Sequence, residues 1–155
     1  MLTLDIPGDA TRSIEHLVLD FNGTLAVDGQ LLPGVGQRLR DLARYVRIHV
    51  VTADTFGMAA AQLEGLPVGL VILPGGQQDI AKRDIVKMLP GLAVAIGNGR
   101  NDTLMLQAAS LGICVVQAEG ASAAALQSSD VICSSILDAL DLLYHTDRLR
   151  ATLRR

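Results

Sequence analysis

Short apolar runs alternate with amphipathic stretches along most of this chain. Leu2 to Ile6 alternates apolar and polar positions, as a half-exposed strand does, and Pro7-Gly8-Asp9 ends it. His16 to Asp20 is an apolar run closed by a carboxylate, which predicts a short buried strand. Phe21 to Leu32 reads as a loop, with Asp28-Gly29 as a hairpin-turn signal. Pro33-Gly34 opens a helix to about Tyr45 that carries Val35, Leu39 and Leu42 on one face. Arg47 to Thr52 is rich in β-branched residues and predicts a strand, after which Asp54 or Thr55 caps a helix of about Phe56 to Glu64. A strand over Val68 to Leu73 follows, then a helix from Gln77 to Leu89 stopped by Pro90-Gly91. Leu92 to Ile96 is the next strand and Asn101 to Ser110 the next helix. Ile113 to Val116 (strand), Ala121 to Gln127 (short helix) and Val131 to Cys133 (short strand) lead to one long C-terminal helix. Ser134 or Ser135 caps it and it runs through Leu149 or so, within about residues 135–152.

Strands alternating with helices mean right-handed βαβ units. The expected fold is therefore α/β, a three-layer, doubly wound and mostly parallel sheet. The 155 residues suit a single domain spanning 1–155, with its core over about 14–145. Half of the chain is apolar but only 3% is aromatic and Trp is absent, so the core must be built from Leu, Val, Ile and Ala. Only 19% is charged, which argues against disorder. The net charge is −3, and the sole cationic cluster, Arg148, Arg150, Arg154 and Arg155, suits the end of a helix. No nucleic-acid partner is expected. Cys114 and Cys133 lie in apolar runs, without metal-type spacing, and read as small buried hydrophobes. Met1 to Ile6 has no basic segment leading into a long apolar one, and no apolar run reaches the roughly 18 residues of a membrane span. The expectation is a cytoplasmic protein with no membrane span.

The candidate chemistry sits where strands end. Asp20 ends a buried strand, and ligands of open α/β sheets bind outside the carboxyl ends of the strands. A carboxylate there can cap a turn, or can attack phosphorus and form an aspartyl phosphate. The turn Asn22-Gly23-Thr24 offers backbone groups and a hydroxyl. Thr52-Ala53-Asp54 ends the next strand, as a phosphate-binding hydroxyl or a helix cap. Lys82 and Lys87 are the only lysines and share one helix, about 140° apart around it, so at most one faces the crevice. Lys82 is the candidate and Lys87 the solvated one. Asn98 and Asp102 lie in a Gly-x-Gly turn after another apolar run. Asp20 and Asp102 together offer the charge of a small oxygen site for Mg²⁺.

The order of these features resembles the haloacid dehalogenase superfamily. Asp20-Phe21-Asn22-Gly23-Thr24-Leu25, Thr52-Ala53-Asp54, Lys82 with Ile85-Val86, and Gly97-Asn98-Gly99-Arg100-Asn101-Asp102 are similar to the phosphorylation domain of P-type ATPases. The likeness extends from His16 to about Leu143 and points to small, soluble, pump-like proteins without membrane helices. It implies Asp20 as nucleophile and Mg²⁺ ligand, and the Asn22 carbonyl as a second ligand. Asn22, Gly23, Thr52, Ala53 and Lys82 would form the phosphate cradle, with Asn98 and Asp102 completing the metal shell. The catalytic set is then Asp20, Asn22, Thr52 and Lys82.

Two departures bear on activity. Phosphatases of this superfamily usually carry a second Asp where Asn22 stands, as general acid and base; Asn cannot shuttle a proton. The first metal Asp of Gly-Asp-Gly is Asn98 here, which removes one of three carboxylates. The interval between Asp20 and Thr52 has no room for a nucleotide-binding domain, and Thr55 to Gln77 none for a cap. The function expected is a Mg²⁺-dependent phosphohydrolase acting on a phosphorylated small molecule or phosphoprotein, its open site closed, if at all, by a homo-oligomer partner or by the substrate. The alternative is a weakly active or non-catalytic phospho-acceptor or interaction module.

Overall fold

In the computed structural model, which describes residues 1–155, the strands are β1 (Leu2–Leu4), β2 (Arg12–Leu19), β3 (Ala26–Val27), β4 (Gln30–Leu31), β5 (Arg47–Thr52), β6 (Val68–Ile72), β7 (Leu92–Gly97), β8 (Leu111–Val115) and β9 (Val131–Cys133). The helices are α1 (Val35–Leu42), α2 (Ala59–Gln62), α3 (Gln78–Met88), α4 (Thr103–Ala108), α5 (Ala123–Ser128), α6 (Ile136–Tyr144) and α7 (Thr146–Leu153), with a 3-10 turn at Arg100–Asp102. Six strands form a parallel path in the order β6-β5-β2-β7-β8-β9. Strand β1 pairs antiparallel with the first residues of β2. This is the three-layer, mostly parallel α/β arrangement that the alternation predicts. No helix is long and apolar enough to cross a membrane.

The path of the chain places the site. From β2 it winds outward through β5 to β6, then returns through α3 to β7 on the other side of β2. Strand β2 is therefore where the winding reverses, and ligands of open sheets gather at such points. Leu19 lies opposite Val50 on one neighbour and Ile96 on the other, so Asp20, Thr52 and Gly97 come out side by side.

Each sheet face has its own core. Alternate residues of a strand point to opposite faces. Leu17, Leu19, Ile48 and Val50 join a 27-residue cluster with α1, α2, α6 and Leu149 of α7. Val18, Val51, Ala93 and Ala95 join a ten-residue cluster with Val86, Met105, Leu106 and Ala125 from α3, α4 and α5. Both cysteines are free and buried.

Several elements depart from the sequence expectation. Strand β2 begins at Arg12 rather than His16, because β1 pairs with its alternating first half. The expected loop at 21–32 contains the β3–β4 hairpin, turned by Asp28 (φ 51°) and Gly29 (φ 77°). Helix α2 starts at Ala59, not Phe56, since Asp54 and Gly57 are both left-handed (φ 52° and 67°). The long C-terminal helix is two helices. Its buried stripe of Ile136, Ala139, Leu140 and Leu143 would continue onto Thr146 and Asp147, which are polar; the break at His145 turns Leu149 inward instead.

Candidate active site

Asp20 leaves β2 with its N–H donating to the Ile96 carbonyl at 3.0 Å, which pins it to β7. Its carboxylate is buried. Oδ1 accepts from Lys82 Nζ at 2.7 Å and Oδ2 from the Thr24 hydroxyl at 3.1 Å. Lys82 comes from the inner face of α3, fully buried, and also donates to Asp102 Oδ1 at 2.8 Å. Asp102 Oδ2 accepts the N–H groups of Asn98 (3.0 Å) and Gly99 (2.9 Å). One ammonium thus bridges two carboxylates that approach from different strand ends. Lys87 is exposed on the opposite side of the helix.

A single cation between two buried carboxylates leaves one negative charge uncompensated. Burial, and then the charge of Asp102, raise the Asp20 carboxyl to about 7, against the lowering pull of Lys82 and Thr24. Lys82 is held well above its ordinary value by the two carboxylates, which outweigh its burial, so it stays charged.

Thr52 and Ala53 border Asp20 on the β5 side. The Thr52 hydroxyl oxygen accepts from the Asp54 N–H at 2.9 Å, which leaves its proton free to donate. The main-chain N–H groups of Ala53, Phe21 and Asn22 have no partner within the chain. Main-chain donors inside a fold are nearly always paired, so these three, unpaired beside the Asp20 carboxylate, are free to bind an anion. Phe21 carries no sequence signal for this role, because a main-chain donor has none.

Two expectations are corrected here. Gly23 does not offer its N–H to a phosphate; that group donates to the Ala26 carbonyl at 2.8 Å. Gly23 is needed for another reason: φ is 81°, and a Cβ there would overlap the Asn98 amide. Thr24 does not face outward either, since its hydroxyl is shared between Asp20 Oδ2 and Asn98 Oδ1 (3.3 Å). Asp54 Oδ1 caps α2 by accepting the N–H groups of Met58 and Ala59, both at 3.0 Å.

No group of three or more His, Cys, Asp or Glu side chains is placed to hold a metal. Asp102, expected as a metal ligand, is fully buried and has both oxygens engaged as the anchor of Lys82, Asn98 and Gly99. The oxygens that remain are the Asp20 carboxylate, the Asn22 main-chain carbonyl, which accepts no hydrogen bond, and the Asn98 amide oxygen. Asn98 Nδ2 donates to the Gly120 carbonyl at 3.0 Å, so its oxygen is the atom turned toward Asp20. Asn22 Oδ1 is buried with no partner at all. These are hard oxygen donors with acceptor capacity to spare, and they fit Mg²⁺ with a single carboxylate among them.

Beside Asp102 lies a hollow of about 420 Å³ lined by Gly76, Gln78, Asp79, Arg100 and Asn101, with no apolar side chain among them. A larger one of about 480 Å³ lies at the other end of the sheet, against Glu15, His16, Arg47 and Pro90, away from this chemistry.

No family profile matches the sequence. It is 46% identical over 84 residues to an uncharacterized protein of Methanocaldococcus jannaschii, covering 51% of this chain and 90% of that one. A second uncharacterized protein of the same organism is 44% identical over 39 residues, 25% of this chain and 89% of that one. Among solved structures, the 3-deoxy-D-manno-octulosonate 8-phosphate phosphatase of Moraxella catarrhalis, in complex with magnesium, phosphate and its sugar acid, has a TM-score of 0.68 at 18% identity. The match covers 92% of this chain and 95% of that one. A zinc-transporting PIB-type ATPase has a TM-score of 0.60 at 21% identity, over 79% of this chain and 20% of the pump.

Proposed function

We propose that this chain, which belongs to one family with those two archaeal proteins and has the fold of the haloacid dehalogenase superfamily, is a Mg²⁺-dependent phosphohydrolase working through an aspartyl phosphate on Asp20. The observation that carries the reading is the buried Asp20–Lys82–Asp102 bridge at the strand ends, bordered by the free Thr52 proton and the unpaired N–H groups of Phe21, Asn22 and Ala53. The fold neighbours include phosphatases, one of them holding magnesium, which supports it.

Asp20 attacks phosphorus; the new O–P bond forms as the bond to the leaving oxygen breaks. Lys82 and the Thr52 hydroxyl hold the phosphoryl oxygens with the three main-chain donors, so charge that moves onto them meets groups already in place. Asp102 orients Lys82 and keeps it charged. Asp20, the Asn22 carbonyl and Asn98 would hold Mg²⁺, which would supply positive charge to offset that of the phosphoryl group. Water then cleaves the acyl phosphate, releasing phosphate and returning the Asp20 carboxylate. Asn22 cannot donate a proton to the leaving oxygen or take one from water. Positioned proton transfer is worth roughly 10²–10⁴-fold, so turnover is slow and favours phosphorylated substrates, small molecule or protein, whose leaving groups need no proton.

The Asn22 and Asn98 substitutions favour a second reading, a phospho-acceptor that holds its phosphoryl group. One assay separates the two. Wild type with Mg²⁺ releases phosphate from p-nitrophenyl phosphate and Asp20→Asn does not; equal release from both would end the hydrolase reading. A stable beryllium fluoride complex without turnover favours the acceptor.

A further inference from the structure

We infer that Gln117 is a positioning residue of this site, clamping the main chain of the Asp20–Thr24 turn to the first turn of α6. The inference rests on the hydrolase reading above for its consequence, but on separate contacts for its geometry. Gln117 lies in the loop after β8, outside every motif that the chemistry uses. Its Nε2 donates to the carbonyls of Thr24 at 3.0 Å and Gly23 at 3.3 Å. Its Oε1 accepts the N–H of Ile136, the first residue of α6, at 2.8 Å. An amide carries two donor hydrogens and an acceptor on one short head, and here all three face main-chain groups from two separate elements.

The grip reaches the nucleophile through one residue. Thr24 is held by its carbonyl, and its hydroxyl donates to both Asp20 Oδ2 and Asn98 Oδ1. The same loop holds Asn98 from the other side: the Gly120 carbonyl accepts from Asn98 Nδ2, and Ser122 N–H donates to the Asn98 carbonyl at 2.9 Å. Gly120 is itself tied back to the Gln117 carbonyl at 2.9 Å. The loop 117–122 therefore fixes the turn that aims Asp20 and the side chain that faces it, and Gln117 is the only one of its side chains that bonds to that turn. Misplacing a reacting group by about 1 Å costs up to roughly 100-fold in rate.

Two variants test it. Gln117→Met keeps the length and deletes all three hydrogen bonds. Gln117→Glu keeps the acceptor for Ile136 and sets a carboxylate against the two carbonyls. With p-nitrophenyl phosphate and Mg²⁺, kcat falls roughly 10- to 100-fold in both while KM moves less than about twofold, because Thr52, Lys82 and Ala53 are untouched. Amide exchange at Thr24, Leu25 and Ala26, whose N–H groups all donate to the Phe21 carbonyl, speeds up relative to the β7 amides. Unchanged kcat and unchanged turn protection in a folded variant overturn the inference. Exchange needs no turnover, so a wild type that releases no phosphate removes the hydrolase reading while exchange still decides the positioning role. Should Gln117→Met fail to fold, Gln117→Glu decides it by the same two readouts.

Discussion

Strand β2 carries two buried polar networks, four residues apart, and they are built on opposite terms. At His16 the network is closed. Nε2 faces the Pro90 carbonyl at 3.0 Å, which can only accept, so this nitrogen donates; Nδ1 pairs with His49 Nε2 at 3.1 Å. At Asp20 the network is charged and open. The ammonium of Lys82 satisfies two carboxylates, yet the N–H groups of Phe21, Asn22 and Ala53 and the Asn22 amide oxygen are left without partners. Burial and polarity alone would not separate these places, and the larger hollow lies beside His16. What separates them is the hydrogen-bonding capacity left over after the fold has satisfied itself.

Lys82→Met breaks the comparison most. Both carboxylates then stay buried without their cation, which costs about 3–5 kcal/mol in a denaturant titration near pH 8. Phosphate release disappears with it, and adding Asp102→Asn restores much of the stability but none of the release.

The networks also answer pH with opposite signs. Asp20 is raised from 3.8 to about 7, so its contribution is full below pH 3.8 and is lost as pH rises through about 7. His49 is lowered by burial, then by the charges of His16 and Arg47, so its contribution is present above its ordinary value of 6.5 and is lost as pH falls below it. Metal-free protein should lose stability on both sides. Asp20→Asn flattens the alkaline limb of a melting-temperature profile and leaves the acid limb; an unaltered alkaline limb would put the charge elsewhere.

Asn98→Asp comes next in size. It sets a carboxylate against the Gly120 carbonyl and loses about 1–3 kcal/mol without metal. Because it also returns a charged ligand, Mg²⁺ should raise its melting temperature more than it raises that of the wild type. His49→Leu is the smallest change, about 1 kcal/mol from the lost His16–His49 hydrogen bond. Phosphate release should stay at the wild-type level, and a loss would mean that the histidine network reaches the site.

Strong local patterns read well from the residues. The β-branched run Arg47–Thr52 and the short run Val131–Cys133 form strands over those residues. Asp20 and Thr52 stand out because each ends an apolar run, Lys82 as one of only two lysines, and Asp102 by the Gly-x-Gly turn before it; the structure brings all four to one end of the sheet. The break at His145 was invisible, since it answers to where α7 must turn Leu149 and not to any local breaker. The cap of α2 reads from the residues as Asp54 or Thr55, and only the fold selects Asp54, whose Oδ1 accepts the N–H groups of Met58 and Ala59. Gln117 and the Phe21 N–H were illegible for one reason. Their partners are main-chain atoms brought close by the fold, and no spacing along the chain records them.

The middle place of β2 also sets an order of events during synthesis. Its partner β5 emerges from the ribosome soon after it, at residues 47–52, but β7 follows only at 92–97. Through that interval β2 has β1 and β5 beside it but an open edge where β7 will pair, with an apolar face awaiting α3 and α4. Domains are most exposed to mispairing while such edges wait, so a pause in translation between residues 52 and 92 falls at this chain's most vulnerable moment.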